Sequence, residues 1–335
     1  MAGHPEQTGA TAGDGRRPVH FPPVLNGLDY LESAVTHLAG TEDSEPDPRS
    51  LKYATLHLQA AAETLLKARL AIADKQLVWS NPERFDSRKD REGDFHSVKL
   101  ETAVKLLREH CTPGTDLESA TSAFTTLGRM RNRFQHLGVT DSDTMALEAL
   151  SIPVLDTLLD FVADDLLPHV PREDWPAADT ALEHVRAGMA PIQALVERRL
   201  APLRTALESH SGSTVACLSC GQFTVMLDGS DTVVCALCRR GYGTPEEAAW
   251  DYAGTDEYTA VTGGGYGPVH MCEWCGATAA LAVPVASGPE EAVLICFADG
   301  TVFDGVCDHC GQAVHYALHE AELCETCRDN AYARF

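Results

Sequence analysis

Five Cys-x-x-Cys pairs crowd the 111 residues from Cys217 to Cys327: Cys217/Cys220, Cys235/Cys238, Cys272/Cys275, Cys307/Cys310 and Cys324/Cys327. Two residues between thiolates let the backbone turn and offer both sulfurs to one tetrahedral ion, and a following glycine supplies the positive φ that closes the turn. The apolar pieces between the pairs, such as Phe223, Val225 and Leu227 or Val233 and Cys235, alternate like strands but are too short to bury a core. Such pieces need a staple. The pattern predicts a β-rich C-terminal half built of small zinc ribbons, with two to three structural zinc ions. A redox protein working through Cys-x-x-Cys is the alternative, and zinc content separates the two.

CLSCGQFTVMLDGSDTVVCALCRR and CDHCGQAVHYALHEAELCETCRDN are two versions of one unit. Each has CxxCGQ, a short strand, 14 or 13 residues between the pairs, and a closing CxxCR. The repeat assigns ribbons to Cys217, Cys220, Cys235 and Cys238 over 211–245, and to Cys307, Cys310, Cys324 and Cys327 over 303–335. A third unit over 268–302 takes Cys272, Cys275 and the single Cys296, and the place three residues on is held by Asp299. An Asp oxygen can ligate zinc but is unusual among thiolates, so this middle ribbon is expected to be a degenerate metal site or a metal-free one. A competing arrangement pairs Cys272/Cys275 with Cys307/Cys310 and strands the last pair. His309 and His315 lie near enough to be considered as ligands, though four thiolates suffice. Four-thiolate sites leave no open coordination position, so the zinc is read as structural.

The other half is built differently. The last lysine is Lys105, eleven of the twelve cysteines follow residue 216, and the boundary falls at 210–213. Residues 211–335 hold four basic against 17 acidic groups, 4 − 17 = −13, so residues 1–210 carry the other −10 of the net −23. That sign repels phosphate and excludes nonspecific nucleic-acid coating by a basic surface. Apolar residues at helical spacing predict helices over about 26–39, 51–77, 98–110, 116–137, 142–167 and 177–209, the last interrupted at Pro191 and Pro202. The charged stretch 81–94 reads as a loop. The domains expected are a disordered N-terminus over 1–24, a helical bundle over 25–168, and a helical connector over 169–210 that completes the bundle or reaches to the ribbons. Cys111, at a helix end, reads as a packing residue. No apolar run is long enough for a membrane span, and no secretory signal opens the chain, so a cytoplasmic protein is expected.

One local basic spot interrupts this acidic chain. The sequence TLGRMRNRFQHLGV carries Arg129, Arg131 and Arg133, with His136 shortly before a helix-stopping Gly138. At 100° per residue Asn132 and His136 share a face, and Arg131 must lean round to join them. Two motifs, LHLQAAAETLLKARL at 56–70 and RNRFQH at 131–136, resemble those of the helical domains called HEPN, the higher-eukaryote and prokaryote nucleotide-binding family. The resemblance covers residues 26–168. It implies a metal-independent RNA endonuclease, commonly dimeric, with Arg131 as the cation on the scissile phosphate, Asn132 as a positioning hydrogen-bonder and His136 as the proton-transfer group. Glu63 aligns with an acidic helix position of the family, and its plainer reading is a helix contact or a partner for an arginine.

Two functions are therefore expected to compete. One is a homodimeric endoribonuclease, a toxin or phage-defence effector whose ribbons dock a target or a protein. The other is a noncatalytic adaptor or nucleotide-binding protein that uses the acidic ribbons for protein interaction, with base stacking on Trp274 a minor variant.

Overall fold

The computed structural model describes residues 20–40, 46–140, 144–262, 267–315 and 323–332, so the N-terminal stretch 1–19 and parts of the last ribbon lie outside the described residues. Asp47 accepts a hydrogen bond from the Ser50 amide at 2.6 Å and Pro48 takes the first helical position, which sets the start of the longest helix. The helical half contains α1 (Pro23–Ala39), α2 (Pro48–Ala73), α3 (Ser87–Glu92), α4 (Leu100–His110), α5 (Leu117–His136), α6 (Thr144–Asp160), α7 (Trp175–Met189), α8 (Gln193–Leu200) and α9 (Arg204–Ser209). Their apolar stripes close on one another around Leu28, Leu58, Leu65, Phe124, Leu155 and Phe161, all fully buried. Gly27 lets α1 lie against α2, because a Cβ there would meet the Leu65 side chain at 2.6 Å. Among the described residues no helix is long and apolar enough to cross a membrane.

Three details differ from expectation. The helix predicted to reach residue 77 ends at Ala73, because Asp74 turns extended and caps a short 3-10 turn, Lys75–Val78, by accepting from Gln76 N at 2.8 Å. The expected loop 81–94 contains α3, whose first turn is capped by Asp86 through Arg88 N and Lys89 N. It is fastened by Trp79, which stacks on Phe95 at 4.5 Å and donates Nε1–H to Asp90 at 3.1 Å. The 177–209 segment breaks near both prolines, and its pieces join the body: α7 packs on α1 and α8 on α6.

Past Ser209 the chain changes to short antiparallel strands: β1 (Thr214–Ala216), β2 (Phe223–Met226), β3 (His270–Met271), β4 (Thr278–Val285), β5 (Gly288–Cys296), β6 (Val302–Phe303), β7 (Gly305–Val306) and β8 (Ala313–Val314). One sheet runs in the order β2-β1-β4-β5-β6, with β3 also on β4, while β7 and β8 pair separately. The strands are not all too small for a core. Hairpin β4–β5 buries Ala279, Ala280, Ile295 and Cys296, on both of its faces, with essentially no exposure, and these residues join the helical core as one contiguous cluster. A helix not foreseen, α10 (Pro245–Ala253), covers β4, begun by a capping box in which Thr244 and Glu247 exchange side-chain and backbone hydrogen bonds.

Candidate metal centres and the helical cleft

Three of the five Cys-x-x-Cys turns repeat one backbone device. The carbonyl of Cys217, Cys272 and Cys307 accepts from the amide of Gly221, Gly276 and Gly311, at 2.8, 3.1 and 2.8 Å, and each glycine has a φ of 70–75°. Cys296-Phe-Ala-Asp299-Gly300 makes the same turn, with Gly300 N on the Cys296 carbonyl at 2.9 Å and a φ of 72°. Asp299 thus occupies the position of a second cysteine. In the second pair of the first ribbon the glycine's place is taken by Arg239, at a φ of 62°. That left-handed backbone costs an arginine about 1 kcal/mol, and its guanidinium is held by Asp164 of the helical half at 2.7 and 2.9 Å.

The side chains converge in three groups: Cys217, Cys220, Cys235 and Cys238; Cys272, Cys275, Cys296 and Asp299; and Cys307, Cys310, Cys324 and Cys327. Within each group the ligand atoms lie within 4.8 Å of one another. This is the arrangement read from the repeat, not the one that pairs Cys272/Cys275 with Cys307/Cys310. Zinc held at about 2.3 Å by tetrahedral sulfurs sets neighbouring sulfurs about 3.8 Å apart. The observed spacings are 3.5 Å for Cys217–Cys238, 3.8 Å for Cys220–Cys235, 3.7 Å for Cys275–Cys296 and 3.6 Å for Cys310–Cys324. Backbone amides of Cys238, Cys275 and Cys327 point at Cys235, Cys272 and Cys324 sulfurs at 3.3–3.4 Å, an outer layer that supports thiolate charge.

The thiols' proton affinities show what such packing demands. Cys217 is held far below the ordinary thiol value by hydrogen bonds from Cys220, Cys235 and Cys238, and Cys238 is pushed far above it by its contacts with the same set. In the third group burial pushes Cys307 up, but the amides of Cys324, Cys310 and His309 bring it to about 6. Sulfurs this close cannot all carry charge by themselves, and a divalent cation is the group that allows it. The donor sets therefore fit metal ions, with zinc favoured by thiolate softness and tetrahedral spacing. His315 lies outside them, 3.6 Å from Asp304 and ring to ring with Phe303. Cys111 packs on the main core, where burial raises its thiol.

The first group is welded to the helices. Arg199 of α8, almost fully buried, donates to Asp156 and Asp160 of α6 at 2.7 Å each and to the Leu237 carbonyl in the Cys235–Cys238 turn at 2.6 Å. Arg240 reaches Glu183 of α7 at 3.1 Å and Asp251 of α10 at 2.8 Å.

In the helical half, α2 and α5 border a cleft of about 490 Å³. Four cations, Lys67, Lys99, Arg129 and Arg131, line it against two carboxylates, Glu63 and Glu101. Arg131 Nη1 donates to Asn132 Oδ1 at 3.0 Å and to Gln135 Oε1 at 3.2 Å, while Nη2 stands 3.6 Å from Glu63. Glu63 also takes Gln59 Nε2 at 3.1 Å and faces Lys67 at 3.6 Å, so its role as an arginine's partner is visible. The structure brings Arg131 and Asn132 to the cleft. His136 is not among its lining: it is exposed on the last turn of α5, which ends as Gly138 donates to the Arg133 carbonyl at 2.7 Å with a φ of 79°. Lys67 and Lys99 were not singled out from the sequence, although the Glu63-to-Lys67 spacing of four on a helix was a usable signal.

No protein-family model matches this chain, and neither curated proteins nor solved structures give a match. The fold and the three ligand clusters therefore stand on the chain's own geometry.

Proposed function

We propose that the protein is a metal-independent RNA endonuclease that acts as a homodimer, with the zinc ribbons docking its target or a partner. The observation that carries this reading is the cation-lined cleft on a chain of net charge −23, with Arg131 and Asn132 hydrogen-bonded at its edge and His136 one turn further along α5. Arg131 is the cation for the scissile phosphate, and an RNA phosphate would replace its loose 3.6 Å pairing with Glu63. Asn132 holds the guanidinium in place, and His136 moves the protons. The 2'-hydroxyl loses its proton to a base, its oxygen attacks phosphorus, and the 5'-oxygen leaves with a proton from an acid, giving a 2',3'-cyclic phosphate and a 5'-hydroxyl. Base and acid call for two proton-transfer groups, and a second copy supplies the second His136. Leu137 and Met145, 84% and 77% exposed beside the α5–α6 connection, are large apolar side chains that such a copy would cover. An enzyme of this kind suits a toxin or phage-defence effector in the reducing cytoplasm, where thiolate clusters persist.

A second reading rests on a different observation. The ribbon half carries −13 and leaves Trp274 and Tyr258 62% and 79% exposed, a surface better suited to a protein than to phosphate. On this reading the chain is an adaptor and the helices dimerise or bind a nucleotide. Mixed cellular RNA incubated in EDTA, briefly enough to keep zinc in the ribbons, separates the two. The endonuclease reading predicts cleavage with 2',3'-cyclic phosphate ends by the wild type and none by His136→Ala or Arg131→Ala, with fold and dimer intact. Equal cleavage by His136→Ala refutes the site, and no cleavage by any protein favours the adaptor.

A further inference from the structure

The three ligand groups differ in one atom. The middle group replaces a thiolate with Asp299, whose Oδ1 is held by the Thr301 amide at 2.9 Å while Oδ2 faces the Cys272 sulfur at 3.6 Å. One oxygen is thus fixed outward and the other presented as a ligand atom. Cys275 of the same group is exposed, as is Cys310 of the third group, whereas every cysteine of the first group is buried, so the oxygen donor is what sets the middle group apart. An oxygen donor suits zinc less well than a thiolate, so the ion held by the mixed set is the one a competing chelator takes first.

The middle group is also where the last ribbon is fastened. On one side Gly300 abuts the first ribbon, since a Cβ there would collide with the Leu227 carbonyl. On the other, Cys272 bridges to Ala313 in parallel register, His270 Nδ1 lies 2.9 Å from the Gly311 carbonyl, and the Trp274 ring meets His315 edge to face at 6.3 Å. The third ribbon has a small core of Cys307, Val314 and Cys324, while its Ala313, with no exposure, joins the main cluster. The contacts that seat this ribbon, at Ala313, Gly311 and His315, thus all meet the segment 270–275 that carries two of the middle ligands.

We propose that Cys272, Cys275, Cys296 and Asp299 form an exchangeable zinc site whose occupancy sets the position of the third ribbon, while the four-thiolate sites hold their ions permanently. The zinc-replete full chain, mixed with a colorimetric zinc chelator, tests this. One ion per chain is expected to leave in a fast phase and two in a slow one. Altering only a ligand's hydrogen-bonding partner changes metal affinity by roughly 10–100-fold, so the two phases should differ by about tenfold or more. Asp299→Cys should move the fast ion into the slow phase, and Asp299→Asn should leave two ions per chain. Removal of the fast ion should raise amide hydrogen exchange across 305–314 and leave 214–240 unchanged. Release of all three ions at one rate, a fast phase persisting in Asp299→Cys, or unchanged exchange at 305–314 would overturn the proposal. If Asp299→Cys does not fold, the Asp299→Asn zinc count decides. A chain without zinc would fail the ribbon reading as a whole, which is a different outcome from three equivalent ions.

Discussion

The first and third ribbons share one ligand pattern, CxxCGQ and a closing CxxCR, in unlike surroundings. In the first, all four cysteines are buried, and the Cys235–Cys238 turn is gripped by Arg199 through the Leu237 carbonyl and by the Arg239–Asp164 pair. In the third, Cys310 is exposed and Cys327 half-buried, and Arg328, in the place of Arg239, stands 3.8 Å from its own neighbour Asp329. The repeat fixes how four sulfurs meet, and residues outside the repeat decide whether the unit is part of the body or an appendage. Arg239 shows the division well: it fills the place of a turn glycine at a φ of 62° because its side chain is used elsewhere.

The comparison is most severely tested by removing one ligand from each ribbon. Cys220→Ser should cost well over about 4 kcal/mol and loosen the helices too, because metal loss there opens the shared core. Cys310→Ser should leave helical melting, followed by far-ultraviolet circular dichroism, within about 0.5 kcal/mol of wild type. Equal losses would mean that the third ribbon is also part of the body. Next in size is Arg199→Ala, which leaves Asp156 to Arg198 and Asp160 to the more distant Arg239, frees the Leu237 carbonyl and should cost about 3 kcal/mol, with first-ribbon amides 233–242 exchanging faster. An unchanged melting temperature there would show that the clamp is not what joins ribbon to helices. Smaller still, Gly27→Ala forces a methyl against Leu65 and should cost about 1–3 kcal/mol without changing the amount of bound zinc. If zinc content fell with it, strain at the α1–α2 contact would be reaching the ligand clusters through the core that the first ribbon shares with the helices.

Much of this architecture was legible in the sequence. Helical spacing marked the main helices, and the CxxCGQ repeat paired Cys217 with Cys235 and Cys307 with Cys324 rather than with the middle unit. The turn logic also located Asp299, since three residues after Cys296 is where the backbone must present a ligand. Less visible was α10: its Thr244-Pro-Glu-Glu247 start is a capping signature, hidden among cysteine knuckles that suggested strands alone. The short α3 was missed because its aromatic anchors are few, with Phe85 alone inside the charged run and Trp79 and Phe95 outside it. The welding of the ribbon to the helices was not readable at all, since Arg199 and Leu237 are 38 residues apart and meet through a backbone carbonyl. In the cleft the sequence singled out Arg129, Arg131 and Asn132, but Lys67 and Lys99 reach it from other segments that only folding brings together.

The most direct test of the central claim, that three metal centres staple the C-terminal half, is the mass of the intact chain under native conditions followed by denaturation. A mass excess of three zinc ions per chain, lost when the protein is denatured in acid, is the predicted result. A native mass equal to that of the bare polypeptide, with all twelve thiols free to react, would contradict it.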